Sequence, residues 1–167
     1  MSARLAMPAG PASLNPLLQD WDTPHGLPPF ALLHAEHFEP ALLDAMQEHL
    51  CELALIGADG AAPDFDNTAA AFDRAGRRLS RVAAAFYNLS SSATSPELQA
   101  VQRAMAGPMS AHHSAVHMDA RLYGRIEALH TQRATLALRP EQLRLLERLH
   151  QDFGRAGACL APEQQRR

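Results

Sequence analysis

The sequence predicts an all-α fold: antiparallel helical hairpins, or a bundle of about five to six helices, behind an extended Pro-rich N-terminal arm. Three observations lead there. Alanine, leucine, arginine and glutamine, all good helix formers, dominate the 167 residues. The chain holds only three valines and two isoleucines, with 5% aromatics, so a strand-rich core has little to be built from. Apolar residues recur at three- and four-residue steps in long stretches punctuated by Pro, Gly and Ser.

Residues 1–14 are mostly small, with Pro8 and Pro11, and are expected to form a flexible tail; residues 15–167 are expected to form the helical domain. Asn15-Pro16-Leu17-Leu18 opens the structured part with a short turn. Gly26-Leu27-Pro28-Pro29-Phe30 cannot be regular helix, because two prolines remove donors and impose extended geometry. It reads as an arm whose Leu27 and Phe30 dock on the helices that follow. The first helix starts at Glu39-Pro40, with Leu42, Leu43, Met46, Leu50 and Leu53 inward, and stops near Gly57. Pro63 closes the Gly/Ala/Asp loop that follows, and Asp64 is placed to cap the next helix, with Asp66 favouring its positive end.

That helix is expected to run from about Phe65 to Leu89, because Phe72, Ala75, Leu79, Val82, Phe86 and Leu89 keep a 3-4-3-4-3 spacing. Ser90-Ser91-Ser92 begins a loop, and Ser95, Pro96 and Glu97 start a third helix with Leu98, Val101, Met105, Met109 and Val116 on one face. Gly107-Pro108 inside it predicts a kink or a one-turn interruption. A fourth helix spans about Ala120 to Arg133, and 135–139 is a connector. A fifth opens at Pro140-Glu141 with Leu143, Leu146, Leu149 and Phe153 inward. Cys159-Leu160-Ala161-Pro162-Glu163 begins another, and a single turn before Arg167 is too short to stand alone, so the expectation is a piece of a longer chain.

Net charge is −3, which excludes a global electrostatic pull toward nucleic acid or anionic membrane. Cys51 and Cys159 are far apart and read as free thiols of a reducing compartment; residues 1–10 lack the apolar run of a signal peptide. The expected location is the cytoplasm. Among nine histidines, His113 and His117 share one helical face at the spacing of H-E-x-x-H zinc helices, but Ser114 stands where that motif has its glutamate. His112 and Asp119 lie near without a motif spacing. His34 and His37, beside Glu36 and Glu39, sit at a helix start and read as capping or packing residues rather than ligands. The serines 90–92 have no base nearby, Gly57-Ala58-Asp59-Gly60 lacks the Lys-Ser/Thr of a phosphate loop, and Arg74, Arg77, Arg78 and Arg81 read as a solvated face. No catalytic, metal or cofactor-binding residue is assigned.

Leu27-Pro28-Pro29-Phe30, Ala35-Glu36-His37-Phe38-Glu39-Pro40-Ala41 and Pro63-Asp64-Phe65-Asp66-Asn67-Thr68 occur in an order and spacing that resembles the amino-terminal region of the thimet-oligopeptidase family of zinc peptidases. The likeness continues through Leu122-Tyr123 and Ile126. It resumes at Arg144-Leu145-Leu146-Glu147, His150-Gln151, Phe153, Ala156-Gly157-Ala158 and Leu160, where it is most similar to the bacterial peptidyl-dipeptidase (dipeptidyl carboxypeptidase) branch. The resemblance implies a non-catalytic N-terminal portion of a several-fold longer enzyme, forming part of the wall or lid of its substrate channel. It also implies zinc in the parent enzyme and short peptides as its substrates, with the missing C-terminal catalytic domain as partner. None of the family's zinc ligands maps onto this chain. The alternative from another class is a freestanding helical interaction module, with a possible homodimer along the Phe72–Leu89 seam.

Overall fold

Phe38 and Pro40 open the first long helix of this chain. The computed structural model describes residues 15–158; the expected tail at 1–14 and the expected helix start at Cys159 lie outside them. Every regular element among the described residues is helical, as predicted. Helix α1 spans Phe38–Ala58, with Pro40 harmless in its first turn. It buries Phe38, Ala41, Leu42, Ala45, Met46 and Leu53. Leu43, expected inward, is 45% exposed. The stripe includes Ala41 and Ala45, small residues that let neighbouring helices approach.

The expected Phe65–Leu89 helix is broken. Phe65–Ala69 forms a single wide turn, α2 is only Ala70–Arg74, and α3 runs Arg77–Ser92. The break is at Gly76, whose φ of 70° lies in the left-handed region that a side chain disfavours. Its N–H donates to Glu52 on α1 at 2.7 Å, and a Cβ there would lie 2.9 Å from the His49 ring. The 3-4-3-4-3 seam is therefore split: Phe72 and Ala75 pack in one hydrophobic cluster, and Leu79, Val82, Phe86 and Leu89 in another. The serines 90–92 belong to α3 instead of a loop; Ser91 and Ser92 hydroxyls donate to the Asn88 carbonyl inside its last turn.

Helix α4 spans Pro96–His117, opened by Ser95 accepting from Leu98 N–H. Helical structure continues across Pro108 without the interruption expected there; a proline removes one backbone donor, which a 22-residue helix survives. Asp119 caps α5 (Ala120–Gln132) through the N–H groups of Arg121 and Leu122. Helix α6 (Pro140–Ala156) buries Leu146, Leu149 and Phe153 and ends on Gly157, with φ 91°.

The N-terminal arm is anchored differently from expectation. Leu27 is 56% and Phe30 42% exposed, so neither docks. The anchors are Leu17, fully buried, and Leu18, Trp21 and Leu33, packed against the same hydrophobic cluster. Trp21 donates to the Pro16 carbonyl, and the Arg81 guanidinium lies 4.6 Å above its ring. The exposed stretch between is folded on itself by short 3-10 turns at Pro24–Gly26 and Phe30–Leu32.

Two clusters make the interior. One gathers Leu17, Phe38, Leu42, Val82, Phe86 and Met105; the other gathers Leu53, Ala69, Leu122, Ile126, Leu146 and Phe153. Both α1 and α4 contribute to each cluster, through Phe38 and Leu53 and through Met105 and Val116. They are the struts that join the two.

Candidate functional site

The Pro63–Thr68 motif is the natural place to look for a site, and the structure gives it a positioning task. Asp64 accepts from the Asn67 N–H at 2.7 Å, and Asn67 Oδ1 returns a bond to the Asp64 N–H at 2.9 Å. Asn67 Nδ2 donates to the Ala62 carbonyl at 3.0 Å. An amide is needed here, since aspartate could accept but could not donate. The Thr68 hydroxyl, 1% exposed as a residue, donates to Asn67 Oδ1 at 2.7 Å.

Arg125 of α5 completes the arrangement. It is 8% exposed and faces the loop between α1 and α2. Its Nη1 donates to the Asp59 and Ala61 carbonyls at 2.7 and 3.1 Å, its Nη2 to Asn67 Oδ1 at 2.9 Å, and its Nε to Thr68 Oγ1 at 3.3 Å. The Asp59 carboxylate lies 3.5 Å from Nη2. A planar guanidinium fixes several acceptors in one geometry, so the loop is held to α5 by a rigid fork. Sequence reasoning missed Arg125. Its one visible signal was a charge beside Leu122, Ile126 and Leu129 on the buried side of α5.

The histidines form separate ring pairs. The His113 and His117 rings meet tilted, with centroids 4.1 Å apart, and the His117 Nδ1–H donates to the His113 carbonyl at 3.0 Å. His112 turns instead to His49 on α1, with Nδ1 and Nε2 3.1 Å apart. Asp119 is occupied in capping α5. His37 Nδ1 accepts from the His34 N–H at 3.1 Å, the capping role expected of that pair. Among the described residues no group of three or more His, Cys, Asp or Glu is arranged to hold a metal ion. The zinc that the family resemblance implies therefore does not fit these residues, and no reaction step is derived for them.

On the α5/α6 face, His150 Nε2 lies 2.6 Å from Glu127, which also accepts from the Tyr123 hydroxyl at 3.0 Å. The His150 bond is the main cause that holds the Glu127 carboxyl below its ordinary range. The His130 ring stacks on His150 at 3.8 Å, and burial, followed by the His150 charge, pushes its pKa down. Within the basic run of α3, Arg78 pairs with Glu48 at 2.7 Å and with Asp44 at 3.4 Å. An apolar groove of about 230 Å³ runs along Leu42, Phe86, Tyr87, Met105 and Met109, with no carboxylate, imidazole or thiol in its lining. No described helix is long and apolar enough to cross a membrane.

No protein-family model matches the chain. It is 35% identical over 155 residues to a dipeptidyl carboxypeptidase of Salmonella typhimurium strain LT2, which covers 93% of this chain and 23% of that protein. It is 32% identical over 149 residues to a dipeptidyl carboxypeptidase of Escherichia coli strain K12, covering 89% of this chain and 22% of that protein. The chain thus spans less than a quarter of the length of these relatives. By sequence it is similar to the bacterial dipeptidyl carboxypeptidases, the same peptidyl-dipeptidase branch that its ordered motifs resemble.

Proposed function

We propose that this chain is the non-catalytic, N-terminal helical portion of a zinc-dependent, peptidyl-dipeptidase-like oligopeptidase of the cytoplasm, and that it forms part of the wall or lid of the channel admitting short peptides. One observation carries the reading: the similarity spans nine-tenths of this chain but less than a quarter of its relatives. The geometry supports it. The motif residues Asp64, Asn67 and Thr68 spend their hydrogen-bonding groups on a helix start and on Arg125, leaving the segment a positional role. Zinc, the general base and the substrate-binding groups belong to the remainder of such an enzyme. A purified 167-residue chain supplied with zinc is expected to release no C-terminal dipeptide from a blocked tetrapeptide. Chelator-sensitive release by this chain alone would overturn the reading.

A further inference from the structure

Where α1 packs on α4, two imidazoles meet nitrogen to nitrogen. His49 Nδ1 and His112 Nε2 are 3.1 Å apart, with ring centroids at 5.1 Å. At that distance the facing nitrogens hold one proton between them: one donates and the other must be bare. The second nitrogen of His112, Nδ1, is buried and has no hydrogen-bond partner. A proton placed there would be stranded, so His112 donates through Nε2 and keeps Nδ1 bare. His49 then carries its own proton on Nε2. Any further proton either sits at the partnerless nitrogen or forces two N–H groups against each other.

The rings cannot simply move apart. His49 lies so close to Gly76 that a Cβ there would come within 2.9 Å of it. The surrounding charge is mixed: the Glu52 carboxylate favours a second proton on His49, while the neighbouring imidazoles oppose one on His112. On α1 the neighbouring carboxylate is Glu52, already accepting from the Gly76 N–H. On α4 the neighbours are His113 and His117, and α6 brings the Phe153 ring against His117. From α3, Arg78 is engaged by Asp44 and Glu48.

We propose that His49 and His112 form an acid-sensitive latch between α1 and α4, closed while one proton lies between the facing nitrogens and opened when the pair takes up another. Because α1 and α4 join the two hydrophobic clusters, opening the latch loosens the connection between the halves of the chain. Burial is the largest influence on both rings and lowers both pKa values; Glu52 opposes it at His49, and the other imidazoles reinforce it at His112. With folded values below the unfolded one, the latch adds stability that is present above the unfolded histidine pKa. That stability is lost as pH falls through the folded values.

The test is an NMR titration of the imidazole carbons of the 167-residue chain between about pH 8 and about pH 4.5. His49 and His112 are expected to titrate together, below the histidines of the same chain unfolded in urea, with α1 and α4 amides near the pair changing in the same interval. Rings that titrate alongside the histidines of the urea-unfolded chain, or a seam that does not respond, would overturn the latch. In parallel, the urea midpoint of the parent chain is expected to fall more between about pH 7.5 and about pH 5 than that of His112→Gln or His49→Gln. Equal losses in parent and variants would count against the proposal, and the titration of the unmodified chain decides the matter if a variant does not fold.

Discussion

Replacing Arg125 by methionine removes the fork while leaving an unbranched apolar side chain in the space of its stem. Four acceptors lose a donor: Asn67 Oδ1, Thr68 Oγ1 and the carbonyls of Asp59 and Ala61. Asp59 and Ala61 are exposed, so water replaces much of what they lose. Asn67 Oδ1 keeps its bonds from the Asp64 N–H and the Thr68 hydroxyl, but the fully buried Thr68 Oγ1 loses its donor, and a buried acceptor left without its partner costs roughly 1–3 kcal/mol. The Asp59 carboxylate is 36% exposed and contributes little as an ion pair. Arg125→Met is therefore expected to cost about 2–4 kcal/mol, and in a chain of this size about 3 kcal/mol lowers the melting temperature by about 6–12 °C. Circular dichroism melting reads the shift, and hydrogen exchange of the 59–67 amides reads its location. Arg125→Lys keeps the charge but loses the fork, and is expected to fall between parent and methionine. A methionine variant within about 0.5 kcal/mol of the parent, with unchanged exchange at 59–67, would refute the assignment of Arg125 as the tie of that loop.

Three further outcomes follow from the packing. Gly76→Ala combines a left-handed backbone with a contact on the His49 ring and is expected to lose about 2–3 kcal/mol in urea unfolding; a neutral result would remove the claim that Gly76 sets the α2/α3 break. Trp21→Ala is expected to cost about 2 kcal/mol, whereas Phe30→Ser changes stability by under about 0.5 kcal/mol; the reverse order would mean that the arm is held through its exposed tip. The Glu127 carboxyl titrates below its ordinary range in the folded chain, so it adds stability that is present above the unfolded value and lost as pH falls through the folded one. Glu127→Gln is expected to lack that acid-dependent part in urea midpoints measured across the carboxylate range, and a variant with the parent's acid limb would show that the His150 bond carries no linkage.

Much of the helical framework was legible because its signals are local. Ser95-Pro96-Glu97 and Pro140-Glu141 start helices where their backbone chemistry says they should, and Asp64 caps the turn it precedes. The interruption at Gly76 was hidden by the seam around it: Ala75 and Leu79 keep helical spacing although they pack in different clusters. Periodicity records which residues are apolar and cannot record that the chain crosses from one cluster to the next. Gly76 itself was the available clue, but its meaning depends on His49 and on Glu52, the latter 24 residues earlier. The same limit concealed Arg125, whose partners lie 57 to 66 residues earlier. Leu43, expected inward, lies on the exposed side, while Ala41, for which the apolar pattern gave no expectation, is buried. The histidine spacing of 113 and 117 did place two rings on one face, yet the long-range pair that formed was His49 with His112.

The central claim, that these helices are the front of a longer peptidase, is tested most directly by the size of the native polypeptide. An antibody raised against this chain should detect, in extracts of the cells that make it, a band several times heavier than 18.2 kDa. That band should copurify with zinc-dependent release of C-terminal dipeptides. A band near 18.2 kDa alone would contradict the account and leave a freestanding helical protein whose partners have to be sought.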